Sequence, residues 1–580
     1  MLEFIQTLKQ RYQLVISSLT EHDPKRYEYQ QCIEQLIYAE AFIKKGQLLE
    51  NNSNTPLQIA VIGPTQAGKS SLANVLLGSK MAGVSPLAGY TVHPHGFCHR
   101  TQINECSGLQ NYFGRFQQLA PQQLTSDRYD CYSLVEMTGD SPLLPACILW
   151  DTPDFDSIDA ADYKEGVIRT IALADIVVLV VSKEKYADQS VWDMMETIEA
   201  FNQPTLVCLN KLNKDNENLV VPSLQEKWLQ IRSDEVPDVV PLYFQKHEGA
   251  PQWPENYQQA IFRLQKDVNH NRQPLYQQQF LTHFWDSWLK PVRDELEAAE
   301  QWRILVDESV EQALKEYQRD YLNHPHYYDT FQEALVELLN LLEIPGFSKI
   351  LGTTRRVITW PVRKLMTLGK RTSTDGVAHE VSLLNQLGNH VLVQISEQIL
   401  EKTDAGQVNA MWWKDAASVL RLQKGKILHR FQQEADNYHH EFQQDVDETA
   451  QKLYQKLQEE PVLLNSLRAA RATTDATALA VAIYTGGIGL HDLVLTPAML
   501  SVTSLLTESA AGSFMTRQEM ALKRHQLETV KTRLFENQLK HALYVIPQQL
   551  PSDKRFNISR QQLQQAEKEL NEKRNGLRLF

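Results

Sequence analysis

Residues 57–78, LQIAVIGPTQAGKSSLANVLLG, are the strongest indication of the fold of the first half of the chain. A short apolar run stops at Gly63, and the pair Lys69 and Ser70 opens a segment with helical spacing. Strand, glycine-rich loop and helix fit the pattern G-x-x-x-x-G-K-[ST], whose backbone amides and helix N-terminus bind phosphate. We therefore predict a nucleotide site on Gly63, Thr65, Gln66, Ala67, Gly68, Lys69, Ser70 and Ser71.

Two further residues, Asp151 and Thr91, complete the predicted phosphate and metal chemistry of Lys69 and Ser70. Lys69 reaches the β- and γ-phosphates, while the Ser70 hydroxyl can ligate Mg²⁺. Asp151 follows the apolar run ACILW, where an acidic residue approaches Mg²⁺ through water. Thr91 lies between these two sites and can bind Mg²⁺ and sense the γ-phosphate. The candidate catalytic residues are Lys69 and Thr91, although an ordinary loop threonine is the alternative for Thr91.

Charge and cysteine usage narrow the class of protein. The formal net charge of −13 disfavours nucleic acid and anionic membrane as partners of the whole surface, but local basic patches can reverse that. The six cysteines are scattered and form no C-x-x-C pair, which indicates reduced thiols in the cytoplasm. The N-terminus MLEFIQTLKQR has no apolar signal region, which argues against secretion.

The pattern along the chain predicts three parts. Residues 1–50 have helical spacing and are expected to pack on the later helices. Residues 57–270 alternate short apolar runs (LQIAVI, ACILW, DIVVLVVS, PTLVCLN, VVPLYF) with helical stretches, which predicts a doubly wound α/β domain with a mainly parallel sheet. Residues 275–580 predict a long all-α bundle. One of its apolar stripes consists of Ile427, Phe431, Tyr438, Phe442, Val446 and Leu453.

The last element of the α/β part is LVCLNKLNKDN, in which Asn210 and Lys211 end a strand where a base-reading loop belongs. The order of phosphate loop, threonine, DTP and NK resembles the translation-factor-like GTPases. The segment GPTQAGKSSLANVLLG most resembles the dynamin-like large GTPases, especially bacterial ones. The resemblance implies GTP and Mg²⁺ binding, GTP hydrolysis and nucleotide-dependent homodimerisation through GTPase domains. It often implies membrane remodelling as well.

Three positions depart from the pattern of that family. Asp154 stands where the family has a glycine whose amide contacts the γ-phosphate. Asn213 stands where the family has the aspartate that accepts two hydrogen bonds from guanine, so one contact is lost or mismatched at a cost of roughly 1–3 kcal/mol if buried. Phe155 stands where many small GTPases place a water-orienting glutamine. We expect slow hydrolysis or relaxed base choice from these changes.

The segment HPHGFCHR offers ligands that zinc accepts, with Cys106 beyond it. It leads into a predicted strand, whose alternation would point His95 and Cys98 to opposite faces. We therefore favour loop histidines and a strand cysteine over a zinc site.

Two segments of the helical part suggest a membrane. Residues 349–371 carry seven basic residues, no acidic ones and an apolar side that includes Trp360. Such a segment suits the surface of an anionic membrane. The alternatives are a solvated basic loop or a contact with an acidic face of the same protein, and RNA binding. Residues 476–514 form two apolar runs, each too short to span a bilayer, which needs about 20 residues. They predict a helical hairpin, either dipping into one leaflet or buried in the bundle.

The leading interpretation is a dynamin-like GTPase that acts in the cytoplasm or peripherally on the cytoplasmic face of a membrane. The alternative is a soluble nucleotide-dependent regulatory or scaffold module, with weak or no hydrolysis, that binds a protein or RNA partner. A GTPase of ribosome assembly is a third class, which the overall acidity disfavours.

Overall fold

A computed structural model describes residues 1–51, 55–83, 91–106, 108–125, 127–154, 160–213, 217–243, 252–324, 328–342, 379–404, 409–468 and 512–577. The contacts divide the chain into two compact units. The first comprises Met1–Arg293 with Ser552–Phe580, and the second comprises Asp294–Pro551. The domain boundaries expected from the sequence stay a prediction.

The first unit is built on an eight-stranded sheet in the described residues, with the order β3-β4-β2-β5-β1-β6-β7-β8. Neighbouring strands are parallel except for β2 and β5. The strands are β1 (Leu57–Ile62), β2 (His95–His99), β3 (Gln117–Gln118), β4 (Cys131–Glu136), β5 (Cys147–Asp151), β6 (Ile176–Ser182), β7 (Thr205–Leu212) and β8 (Val239–Tyr243). The predicted doubly wound, mainly parallel sheet is confirmed, and the five predicted runs form β1, β5, β6, β7 and β8.

The central strands are buried along their length because helices cover both faces of the sheet. In β6 every residue is buried, and β1 is buried from its second residue onward. The helices of this part are α3 (Lys69–Leu77), α4 (Gly108–Phe113), α5 (Ala160–Leu173), α6 (Gln189–Ile198), α7 (Glu217–Ile231) and α8 (Ala260–Asp267). The carboxyl ends of parallel strands meet at one edge of the sheet, which is where ligands bind in this architecture.

The N-terminal residues form helices α1 (Leu2–Ser18) and α2 (Lys25–Asn51). Helix α2 lies against α5, where the buried carboxylate of Glu40 accepts from Lys9, from Lys44 at 3.1 Å and from Arg169 at 3.2 Å. The hydroxyl of Tyr12 in α1 donates to the backbone oxygen of Trp288 at 2.8 Å. These helices are therefore anchored both on the α/β part and on the start of the helix that follows it.

The described residues of the second unit form helices joined by turns and short connections. Its helices are the later part of α9 (Gln273–Tyr317), α10 (Thr330–Leu341), α11 (His379–Asp404), α12 (Ala410–Gln458), α13 (Gly512–Thr529) and α14 (His541–Tyr544), and residues 461–468 are also helical. The six residues of the predicted apolar stripe are all buried along α12, so that prediction is confirmed. The first unit closes with α15 (Arg560–Leu577).

Both segments that are expected to contact a membrane lie largely outside the part of the chain that the structure describes. The basic segment 349–371 and residues 476–511 of the predicted apolar hairpin lie outside the described residues. In the part of the chain that is described, no helix combines the length and the apolarity that a bilayer crossing requires.

Candidate nucleotide site

Two glycines shape the loop between β1 and α3. A Cβ atom on Gly63 would lie 2.1 Å from the carbonyl oxygen of Val180, and one on Gly68 would lie 2.3 Å from Nδ2 of Asn210. Gly68 also has a φ of +99°, which side-chain-bearing residues rarely adopt. Only glycine fits at these two positions. The loop therefore passes close to β6 and β7 and delivers the N-terminus of α3, which begins at Lys69, to the edge of the sheet.

The end of strand β7 holds the loop from the other side. Asn210 donates from Nδ2 to the carbonyl oxygen of Ala67 at 2.9 Å, and Lys211 donates from Nζ to that of Gln66 at 2.7 Å. Both residues were expected to serve base reading. In the structure both side chains donate to carbonyl oxygens of the phosphate loop, so they join the two predicted parts of the site. Within the loop, Thr65 and Ala67 are buried, while Ser70 and Ser71 are half-buried.

The side chain of Lys69 is 5 % exposed and is fully engaged. Its Nζ donates to the carbonyl oxygen of Gly63 at 3.0 Å and to that of Pro64 at 3.4 Å. Its charged partner is the carboxylate of Asp154, whose side chain is 13 % exposed. The sequence predicted that this carboxylate would lie near the phosphates. The ion pair with Lys69 was not predicted, and the one signal for it was an acidic residue in place of the family's glycine.

Ser70 and Asp151 meet at the carboxyl end of β5, as a shared metal site requires. Asp151 is 1 % exposed, and its side chain forms a hydrogen bond with Ser70. The pKa of Asp151 is raised to about 6, chiefly by burial and to a lesser extent by the nearby Asp154, against the lowering effects of Ser70 and Lys69. The Oδ1 atom of Asp151 has no hydrogen-bond partner among the described residues.

A buried carboxylate oxygen without a partner, beside a serine hydroxyl, matches the oxygen ligands that Mg²⁺ takes in phosphate-binding sites. The residues present therefore fit this ion. Its positive charge would offset the cost that burial imposes on the Asp151 carboxylate.

Thr91 and Asn213 border segments outside the described residues. Thr91 is half-buried in the loop before β2, four residues ahead of His95, which pairs with Asp151 across the antiparallel strands. Asn213 is exposed and directly follows the end of β7. The metal, sensing and base-reading roles of these two residues stay predictions.

The histidines near β2 each face a different partner. His93 Nε2 lies 2.5 Å from the carbonyl oxygen of Arg128, and His95 Nδ1 lies 2.7 Å from Oγ of Ser133. His99 Nδ1 lies 2.8 Å from the carbonyl oxygen of Pro145. All six cysteines are buried free thiols. Over the described ranges, no three His, Cys, Asp or Glu side chains come together as a metal site would require.

Residues 58–211 match the sequence profile of the family described as 50S ribosome-binding GTPase. That match covers the phosphate loop, the carboxyl end of β5 and the strand ending in Asn210 and Lys211. This part of the chain is a P-loop GTPase domain. The match implies GTP as the nucleotide of the GTPase domain.

Comparison of the whole chain with solved structures shows what the chain is similar to and no more. Two solved structures described as an oligomerised bacterial dynamin pair, which senses and tethers membranes at long range, are similar to it. The first is 14 % identical, with 99 % of this chain and 82 % of the other covered and a TM-score of 0.27. The second is 13 % identical, with 95 % and 82 % covered and the same TM-score of 0.27. Similarity at this level is not evidence of shared function. None of the curated proteins compared with the chain matches it.

Proposed function

We propose that this chain is a dynamin-like GTPase, which binds GTP with Mg²⁺, hydrolyses it slowly and uses the nucleotide state to rearrange its helical region. The observation that carries the proposal is the arrangement at the start of α3. A loop that only glycine can form at Gly63 and Gly68 presents Lys69 beside Ser70 and the partnerless oxygen of Asp151. That combination suits a nucleotide phosphate chain with its metal ion.

The residues of the loop would act on the phosphates in different ways. The α3 N-terminus and the loop amides would bind the phosphate oxygens, and the Lys69 ammonium would stabilise charge that develops on the transferring phosphoryl group. Ser70 would hold Mg²⁺ directly and Asp151 through water, with Thr91 as a further ligand and sensor. The ion, when bound, would neutralise phosphate charge.

The proposed site of action is the cytoplasmic face of an anionic membrane. The sequence of residues 349–371 has basic charge with an apolar side, and residues 476–514 form the predicted apolar hairpin. Each basic residue near such a surface contributes about 1 kcal/mol. The nucleotide would also control pairing of two GTPase domains. Nucleic acid is not a proposed partner, because the net charge is −13.

A soluble regulatory or scaffold module is the second candidate, and one contact favours it. Lys69, the residue expected to assist phosphoryl transfer, is paired with Asp154. A paired lysine is less available to a phosphate, which agrees with weak or absent hydrolysis. Such a module would use the loaded state to bind a protein or RNA partner. The family profile described as 50S ribosome-binding GTPase makes the large ribosomal subunit one partner to test.

The experiment measures binding of GTP, ATP and XTP by competition in Mg²⁺, followed by phosphate release with and without anionic liposomes. Lys69→Ala should lose binding, while Lys80→Ala, an exposed lysine just after α3, should not. Preference for GTP with liposome-stimulated turnover would support the dynamin-like proposal. Binding without turnover, indifferent to lipid, would support the regulatory module. Failure to bind any nucleotide would overturn both.

A further inference from the structure

We infer that Asp154 is a built-in competitor of the γ-phosphate, which makes this site favour a nucleoside diphosphate over the triphosphate. The inference rests on the proposed nucleotide binding and deepens it. It names one residue of this chain as the determinant of which phosphate state is held.

The first step concerns the hydrogen bonds of Lys69. An ammonium group has three hydrogens to donate. In this structure its partners are the carbonyl oxygens of Gly63 and Pro64 and the carboxylate of Asp154. A phosphate oxygen can therefore bind the ammonium only by replacing one of these partners. The two carbonyls belong to the loop backbone itself, whereas Asp154 is a side chain that can rotate away.

The second step concerns charge. The side chains of Lys69 and Asp154 are 5 % and 13 % exposed, so water screens their interaction poorly. A second carboxylate, Asp151, is close enough that Asp154 raises its pKa. A γ-phosphate would bring further negative charge to the same point. Two anions at one buried cation repel each other, so Asp154 must leave Lys69 or the phosphate must bind weakly.

The third step explains why the penalty falls on the γ-phosphate. Asp154 lies three residues after the end of β5, at the position whose backbone amide contacts the γ-phosphate in the family that this sequence resembles. The β-phosphate lies toward the loop amides and the N-terminus of α3. A diphosphate leaves the γ-phosphate position empty, so its β-phosphate can replace a loop carbonyl at Lys69 while the Asp154 carboxylate stays in place. A triphosphate brings its γ-phosphate to the position that Asp154 occupies.

The same exchange gives a readout of the nucleotide state. Binding of a triphosphate moves Asp154 off Lys69, and loss of the γ-phosphate lets it return. Because Asp154 lies three residues after the end of β5, the position of its carboxylate reports the phosphate state at the carboxyl edge of the sheet.

The test measures dissociation constants of GDP and of a non-hydrolysable GTP analogue by calorimetry, so that hydrolysis plays no part. The variants are Asp154→Asn, which keeps the shape and removes the charge, and Asp154→Gly, which restores the family residue. Asp140→Asn is the matched control, because Asp140 is 67 % exposed and pairs with Arg100. Thermal unfolding checks that each variant is folded.

We expect both Asp154 variants to bind the GTP analogue at least about tenfold more tightly, because the γ-phosphate no longer has to displace the Asp154 carboxylate from Lys69. Their affinity for GDP should change by less than about threefold, and the control should change neither. Equal changes for the two nucleotides, or no change, would overturn the inference while leaving nucleotide binding intact. Wild-type protein that binds neither nucleotide would overturn the proposed function, and this inference with it.

Discussion

Nζ of Lys45 in helix α2 lies 2.8 Å from Oδ1 of Asp175, the residue just before β6, and both side chains are almost fully buried. Lys45 also donates to the carbonyl oxygen of Ala174 at 2.7 Å. Asp175 accepts from the backbone N–H of Gln58 in β1 at 2.9 Å and lies 3.0 Å from Nε2 of His270. One carboxylate thus joins the N-terminal helices to the strand that leads into the phosphate loop.

Replacing Lys45 by methionine should destabilise the first unit by about 3 kcal/mol, because it leaves the Asp175 carboxylate buried without its main countercharge. Urea unfolding of the full chain measures this loss. Lys25→Met, an exposed lysine of the same helix, is the control and should change stability by less than about 0.5 kcal/mol. Equal effects of the two substitutions would contradict a role for the buried pair.

The Asp175 carboxylate also gives a pH dependence. Burial opposes ionisation, but Lys45 and His270 hold the pKa of Asp175 below its usual value. A folded-state pKa below the unfolded one means that the stabilisation is present at neutral pH and is lost as the pH falls through the folded pKa. We expect Asp175→Asn to flatten the acid limb of the stability curve. An unchanged acid limb in that variant would count against the assignment.

Asn213→Asp restores the acceptor that guanine requires and should increase discrimination for GTP over XTP. The expected gain is roughly 1–3 kcal/mol, because a carboxylate accepts two hydrogen bonds where the amide accepts one and donates one. Competition binding of the two nucleotides measures it. Asn111→Asp, which adds the same charge at an exposed position of α4, should leave the ratio unchanged. If the ratio stays constant in both variants, Asn213 does not read the base.

Ser70→Ala should remove the dependence of nucleotide binding on Mg²⁺. The serine hydroxyl contacts Asp151 next to its partnerless oxygen, so its loss takes away the proposed direct ligand of the ion. We expect about a tenfold or larger loss of affinity in Mg²⁺ and little change in EDTA. Ser17→Ala, at an exposed position of α1, is the control. A similar loss in EDTA would indicate a direct phosphate contact instead.

In the second unit, His439 should contribute stability that depends on pH. Its Nδ1 lies 3.4 Å from Oε2 of the buried Glu380, and this hydrogen bond raises the pKa of His439, with Glu333 and Asp329 adding to the effect. A folded pKa above the unfolded value means that the stabilisation is complete below the unfolded pKa, about 6.5, and is lost as the pH rises through the folded pKa.

His439→Gln should therefore abolish the loss of stability that occurs as the pH rises through the pKa of His439. Thermal unfolding across a pH series measures this loss. Its sequence neighbour His440 is exposed, so His440→Gln should leave the decline intact. A decline that persists unaltered in His439→Gln would show that another group titrates.

The order of strands and helices in the α/β part could be predicted because the buried parallel strands are continuous apolar runs between turn signals. Strand β4, CYSLVE, was not predicted. Its composition is mixed rather than a continuous apolar run, and its pairing with β2 and β3 depends on tertiary contacts. The stripe on α12 was predicted correctly because a helical period over 49 residues is a strong signal.

At the site, the loop and its two glycines followed from a local pattern, whereas the partners of its side chains did not. Asp154 is 85 residues from Lys69, and Asn210 is 143 residues from Ala67. The pattern predicts Asn210 as a base-reading residue, which stays a prediction, and it did not predict that the Asn210 amide donates to the carbonyl oxygen of Ala67. Neither periodicity nor spacing in the sequence specifies which of several nearby polar groups forms a given hydrogen bond in the folded protein.

The strand–loop–helix unit, the alternating α/β order and the apolar face of the long helices could all be predicted from the sequence, because each depends on local backbone demands or on a regular period. The pairing of Lys69 with Asp154, and the link that Asp175 makes between Lys45 and β1, are visible only in the folded structure. These pairings depend on which strand ends the folded sheet brings together and on the cost of leaving a buried charge without a partner.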